Sequence, residues 1–356
     1  MPLRLSPTWI SQIEAVVLTG LSTATNALVT ATDSILSAFG KLQAQSTYNA
    51  QALGAIGRNK LLNGRFNIQQ RGTGPWTASG AYTADRWLTL VITDTLSVTI
   101  VALADADRAA IGDEYATSAM QLVVAGTYSG FTQFGTHMES VRVLSGKTVT
   151  LSFYAKASAA LSIGAYFYQS FGSGGSPSGG IYVAPATFSL STTCARFSAT
   201  YTMPSIAGKT FGSNNDDNTE LYFGLSAEPS AATETGVGVQ SGTFTIWGVQ
   251  VEIGGVASSL ESRGIDMELA MCQRFYINQT VFTAGYAAAA GTAYGQFVFP
   301  VQMRGVPSVT FSAQAYTNAS ALATVSVRAT DLISSITVTA TGAARATATL
   351  ALSADI

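Results

Sequence analysis

The sequence predicts a mainly β protein, with an N-terminal coiled-coil helix, a central antiparallel β-sandwich of jelly-roll type and a small C-terminal β-sandwich. Three observations predict it. Apolar residues recur at spacings of three and four up to Leu42, and from Lys60 onward the period changes to two. Short alternating runs are divided throughout by Gly-, Asn-, Asp- and Ser-rich turns. Charged residues make up only 11% of the 356 positions, whereas 47% are hydrophobic and 34 are glycine. An average soluble protein carries about 25% charge, so the surface polarity here must come from Ser, Thr, Asn and Gln. Such a chain has core enough to fold and too little charge for a disordered segment. Its formal net charge of -2 offers no basic stripe for nucleic acid or anionic lipid.

The helix is expected over Ser6–Leu42. Ile10, Ile13, Val17, Leu21, Ala24, Leu28, Ala31, Ile35, Ala38 and Leu42 form one seam, and Ser6-Pro7 supplies an N-cap followed by proline at the first helical position. Thr- and Ser-rich flanks make a lone helix of this kind marginal, so the seam calls for a partner. The expectation is a parallel homotrimeric coiled coil about 50 Å long, with Ile10, Ile13, Val17, Leu21, Leu28, Ile35 and Leu42 as its contacts. Ser46–Asn59 reads as a polar neck, which closes a first region at 1–59.

Region 60–262 is expected to be the sandwich. LLNGRFNI, DRWLTLVI, LSVTIVAL, TSAMQLVVA, TVTLSFYAKA, LSIGAYFYQ, ARFSATYTM, ELYFGLSA and TFTIWGVQVE are its strand candidates. In the last of these, alternation places Phe244, Ile246, Gly248 and Gln250 on one face and Thr245, Trp247, Val249 and Val251 on the other. Gly254-Gly255 breaks the strand. A linker helix follows at 263–276, with Ile265, Leu269 and Cys272 as its apolar stripe. The final region, 277–356, carries six short strands so rich in Ala and Thr that a monomer buries little large apolar area, a second argument for oligomerisation.

Motifs for chemistry are sparse. His137 is the single histidine, and alternation puts it beside Gln133 and Gly135 on one face of a strand. Asp113-Glu114 and Asp216-Asp217 are adjacent acids that read as solvated turns, whereas glycosidases need two carboxylates facing one another. Cys194 and Cys272 have no metal-ligand neighbours. The run Asn214 to Glu220 is rich in oxygen ligands but lacks the spacing of a calcium loop. The Gly172–Gly180 segment lacks the following helix and lysine of a phosphate cradle. No catalytic residue, metal or cofactor is therefore expected. Aromatic residues stand out instead: Tyr166, Tyr168 and Tyr182 bracket the glycine loop, and Trp76 lies in a turn. Flat rings with polar tips suit stacking on sugars. Trp76, Tyr166, Tyr168 and Tyr182 as platform, with Asn214, Asn215 and Asp216 as hydrogen-bonding partners, are the candidate glycan site. Tyr286, Tyr294 and Tyr316 of the last region are a competing location. Trp87 and Trp247, inside strands, are expected in the core.

LLNGRFNIQQRG, then YTADRW, VRVLSGKTVTLSFYAKAS, ARFSATYTMPSIAGKTFGSNNDD, WGVQVEIGG and ELAMCQRFY, in that order, resemble a family of bacteriophage tail-fibre and receptor-binding proteins. The resemblance runs over Asn63–Tyr276, and FVFPVQMRGVPSVTFS extends it toward the C-terminus. It implies a central carbohydrate-binding-module-like domain in a non-enzymatic virion structural protein that contacts the host envelope. It carries over no ligand residues and leaves Met1–Asn59 outside. Met1–Pro7 lacks the features of a secretory signal, and no window of about 20 residues is apolar enough to span a bilayer. The expected protein is made in the host cytoplasm and exposed on the virion. Its expected partners are its own copies, other virion proteins through the N-terminal helix, and a host cell-surface glycan, without nucleic acid or membrane insertion. A tail fibre or spike is the first reading. A head fibre or capsid decoration protein is the alternative, and a capsule depolymerase the second.

Overall fold

The computed structural model describes residues 28–30, 33–53 and 57–355, the side chains of 46–53 excepted. Ile10, Ile13, Val17 and Leu21 of the expected seam lie outside the described residues. Helix α1 spans Ile35–Leu53, so it takes in the last part of the expected helix and continues beyond Leu42. Residues 28–30 and 33–34 are not helical. Asp33 is the reason: its carboxylate accepts the Thr30 N–H at 2.7 Å and pairs with Lys41 at 2.8 Å. Ser34 then caps the helix, its hydroxyl accepting the Ser37 N–H at 3.2 Å. The helix also runs on through most of the stretch read as a neck.

Residues 59–356 form one compact unit. Its first ten strands are β1 (Trp87–Ile92), β2 (Thr95–Ala102), β3 (Ser118–Ala125), β4 (Phe131–Glu139), β5 (Thr148–Ala157), β6 (Leu161–Ser170), β7 (Ile181–Leu190), β8 (Ala195–Thr202), β9 (Asn218–Ala227) and β10 (Ser241–Ile253). They make two five-stranded antiparallel sheets, one in the order β1-β4-β9-β6-β7 and the other β2-β3-β10-β5-β8. The sheets close on one core. Trp87 stacks on Phe134 at 5.1 Å, and Phe153 packs edge-on to Phe223 at 4.9 Å. Trp247 is buried as well.

Four local readings are corrected. LLNGRFNI is a turn, because Asn63 and Phe66 adopt left-handed backbone. The Asn63 side chain closes that turn by donating to the Ile68 carbonyl at 2.8 Å and accepting its N–H at 2.9 Å. Strand β7, absent from the expected set, contains Pro185 and is an edge strand with a register shift opposite Ala165–Phe167. That is where a proline is tolerated in a sheet. The strict alternation over TFTIWGVQVE fails at Gly248 (φ 61°), an extra residue that shifts the register between Trp247 and Gln250. Past this bulge Val249 and Val251 join Phe244 and Ile246 in the core. The adjacent acids are not freely solvated either: Asp113 pairs with Arg65 at 2.8 Å and Asp217 with Arg142 at 3.1 Å.

Short helices α2 (Asp105–Ile111) and α3 (Ala232–Thr235) fill connections, and α4 (Ile265–Gln273) follows the sandwich. Cys272 of α4 is buried, but Ile265 is exposed, so the expected stripe of that helix is only partly used. Six further strands form two three-stranded sheets: β11 (Tyr276–Ala287), β16 (Gly342–Ser353) and β13 (Ser308–Thr317) in one, β12 (Thr292–Val298), β15 (Asp331–Thr337) and β14 (Ala323–Val327) in the other. Their core contains Leu332, Ile336, Leu350 and Leu352, but also Ala344, Ala346 and Ala348. The protein is thus mainly β, antiparallel and sandwich-like, with few helices among the described residues.

Candidate functional site: the outer face of the first sheet

Alternation along β4, β6 and β9 sends Phe134, Phe167, Leu221 and Phe223 into the core and leaves a second set of side chains on the outer face. There Leu88, Tyr166 and Tyr222 form a separate buried cluster, with Tyr82 packed against it. Register aligns the rest. His137 lies opposite Glu220, Glu220 opposite Tyr168, and Tyr168 opposite Tyr182. Four neighbouring strands therefore contribute one row of side chains, about 14 Å long at the usual spacing of ~4.8 Å between strands. A second row, one step along the strands, holds Gly135, Tyr222 and Tyr166.

The rings lean on one another. Centroids are 4.7 Å apart for Tyr168 and Tyr182, 6.0 Å for Tyr166 and Tyr182, and 5.7 Å for Tyr166 and Tyr222. Two glycines make room for them. A Cβ on Gly135 would lie 2.4 Å from the Tyr222 ring, and one on Gly180 would lie 2.0 Å from the Tyr168 hydroxyl. Tyr166 and Tyr222 are buried and Tyr168 is half-buried, whereas Tyr182 is 53% exposed.

The polar groups of the face are linked. The Tyr222 hydroxyl stands 3.0 Å from His137 Nε2, and a Glu220 carboxyl oxygen lies 3.9 Å from the same nitrogen. Burial pushes Glu220 up to about 7, so near neutrality the group is divided between acid and carboxylate and serves a hydroxyl ligand as donor or acceptor. Burial also raises the phenols of Tyr166 and Tyr222, which stay neutral.

Of the residues singled out in the sequence, Tyr166, Tyr168 and Tyr182 are brought together. Trp76 is not: its backbone exchanges 2.9 Å hydrogen bonds with Val98 of β2, so it lies at the outer edge of the other sheet. Its ring packs on the core. Tyr182 is on the edge strand at the far side, across the width of the sandwich. Asn214, Asn215 and Asp216 are committed elsewhere. Asp216 accepts the Ser173 N–H at 2.7 Å, and Ser173 Oγ accepts from Asn214 Nδ2 at 3.0 Å. The Asn215 carbonyl accepts from Arg304. These bonds tie the SNNDDN loop to the glycine loop, and the Ser173 hydroxyl holds the Asp216 carboxyl below its usual range. Tyr286, Tyr294 and Tyr316 are exposed on three different strands.

Sequence reasoning missed Glu220, Tyr222 and Tyr82. The alternation in ELYFGLSA already placed Glu220 and Tyr222 on one face. What hid them is the strand order, which sets β9 between β4 and β6 although neither is its neighbour in the chain.

No family model matches the chain, and neither does any curated protein. Among solved structures it is similar to the family 11 carbohydrate-binding module from Clostridium thermocellum in complex with a β-1,3-1,4-mixed-linked tetrasaccharide. There the identity is 12% and the TM-score 0.32, over 51% of this chain and 96% of that one. It is also similar to a putative sugar binding protein from Bacteroides thetaiotaomicron, with 15% identity and a TM-score of 0.35 over 55% of this chain and 100% of that one. A third likeness is to the enzymatically active domain of tailspike protein 4 from bacteriophage CBA120. Its identity is 15% and its TM-score 0.34, over 55% of this chain and 22% of that one. Scores this low carry no argument about ligand or partner, and the reading below rests on the side chains.

Proposed function

We propose that this chain is a phage virion protein, a tail fibre or spike, that binds a host-surface glycan without catalysis. One observation carries the glycan reading: the row His137–Glu220–Tyr168–Tyr182 across four strands, backed by Tyr166 and Tyr222. Sugar rings present apolar C–H faces and hydroxyl edges. Exposed phenol faces take the former, and an acid–imidazole–phenol cluster takes the latter. The phage setting is supported by the six ordered motifs from LLNGRFNIQQRG to ELAMCQRFY. The exposed residues Ile35, Phe39 and Leu42 of α1, at helical spacing, support assembly into a homotrimer.

Affinity electrophoresis tests the glycan reading, with mixed-linkage β-glucan, xylan or bacterial O-polysaccharide cast in the gel. Retardation of the native chain in at least one matrix, weakened about fivefold in Tyr182→Ala, is the expected result. Equal mobility in all of them would sink it.

A hydrolase is the second reading, favoured by the raised acid of Glu220 and by Glu234, whose charge acts on Tyr166 and Tyr182. A retaining or inverting glycosidase needs two such groups about 5–10 Å apart across the scissile bond. Release of new reducing ends from a retarding polysaccharide, abolished in Glu220→Gln, would establish that reading and displace the first.

A further inference from the structure

The outer face of the first sheet is not built by the sandwich alone. The side chain of Asp355, just past the last strand, is only 6% exposed and lies between two arginines from the segment that leads into β1. Arg86 donates to Asp355 Oδ1 at 2.8 Å, and Arg71 pairs with the other carboxylate oxygen. Ser353 Oγ donates to Asp355 at 3.0 Å, and the Ala354 N–H donates to the Phe275 carbonyl at 2.8 Å, which fixes the approach of the last residues. Arg86, only 2% exposed, lies 3.7 Å over the Phe275 ring, and Arg71 lies 3.6 Å over Tyr276.

Both arginines also reach the tyrosine face. Arg71 is 5.1 Å from the centroid of Tyr82, which packs against the cluster of Leu88, Tyr166 and Tyr222, and the Arg86 charge acts on the Tyr82 phenol. Arg86 also donates to the backbone carbonyl of His137 at 2.7 Å. Two residues that border the face, Tyr82 through its ring and His137 through its backbone carbonyl, are thus held by cations whose counter-ion comes from the C-terminal region.

We infer that Asp355 is a positioning residue for the glycan face: through Arg71 and Arg86 it fixes Tyr82 and His137, so the C-terminal region is part of the binding unit. The inference rests on the glycan reading of that face. Without the carboxylate, Arg86 is a buried cation lacking its counter-charge. Such a group moves toward water or another acceptor. The His137 carbonyl and the Tyr82 ring then lose their anchors, and the cluster they border loosens although no sugar contact has been removed.

The test uses the full chain in gels carrying the polysaccharide that retards it: mixed-linkage β-glucan, xylan or bacterial O-polysaccharide. Asp355→Asn is expected to lower the affinity about fivefold or more, the range of a site-to-site coupling, and Asp355→Glu to restore most of it. Asn278→Ala, which removes a 2.8 Å bond to the Gln70 carbonyl between the same two regions, should leave retention unchanged. Unfolding midpoints of all variants separate loss of fold from loss of positioning. If Tyr182→Ala lowers retention while Asp355→Asn does not change it, the inference falls and the glycan reading stands. If Asn278→Ala loses as much as Asp355→Asn, in step with stability, the role is structural only and the inference also falls. If no matrix retards the native chain, both readings fall together.

Discussion

At the scale of single residues, Glu220 is held as a half-buried acid on an aromatic face, and this has a pH signature. Its ordinary value of 4.5 is raised to about 7 by burial, so between these pH values the folded chain binds more protons than the unfolded one. Its contribution to stability therefore falls as pH rises through that window and is constant above it, by on the order of 3 kcal/mol at most. Glu220→Gln keeps the shape and removes the titration. Urea midpoints of the variant should match the native protein near pH 4.5 and exceed it at pH 8; parallel curves for the two proteins would contradict the assignment. Tyr182 behaves differently. Its ring is half exposed, so Tyr182→Ala should change stability by no more than about 0.5 kcal/mol while removing about 1 kcal/mol of stacking on a bound sugar. Circular dichroism melts check the first figure, and polysaccharide affinity the second.

At the scale of elements, the face depends on how closely α3 approaches the sheet. Gly164 and Gly224 lie directly beneath it, and a Cβ on Gly164 would come within 1.8 Å of the Thr235 carbonyl oxygen. Gly164→Ala must push α3 or β6 aside, at a cost of about 1–3 kcal/mol typical of overpacking, readable as a lowered denaturation midpoint. An unchanged midpoint would show that α3 yields freely.

The same scale shows what was legible in the sequence. Period-two runs revealed nine of the ten strands of the large sandwich, β4 through the alternation around His137, and all six of the last region, because one buried face leaves a clear alternation. β7 was hidden by Pro185, since a proline argues against a strand unless the strand is known to be an edge. The inward face of β10 was misplaced beyond Gly248 because one inserted residue inverts every side chain after it. Tyr166, Tyr168 and Tyr182 were recoverable because a single hairpin joins them. Glu220 and His137 were not, since their meeting depends on pairing between strands distant in sequence. Trp76 misled for the opposite reason. It lies in a Gly-rich turn, yet that turn is stitched to β2.

At the scale of the molecule, assembly and binding belong together. Ile35 is 77% exposed, Phe39 56% and Leu42 52%, an apolar strip that a lone helix would leave in water. The trimer proposal predicts three times the chain mass of 36.9 kDa by sedimentation at micromolar concentration. Ile35→Asp with Leu42→Asp should give the monomer without lowering the melting transition of the β regions. A native monomer would remove the trimer from the account. Three linked copies also turn a weak single site into strong attachment, because the second and third contacts form at high effective concentration. The central claim is the glycan face itself, and calorimetric titration of the native chain with oligosaccharides cut from a retarding polysaccharide tests it most directly. The account predicts saturable heat with one site per chain, weakened about tenfold or more in Tyr168→Ala/Tyr182→Ala and unaffected in Trp76→Phe. Saturable binding that survives the double substitution intact would place the sugar elsewhere and contradict it.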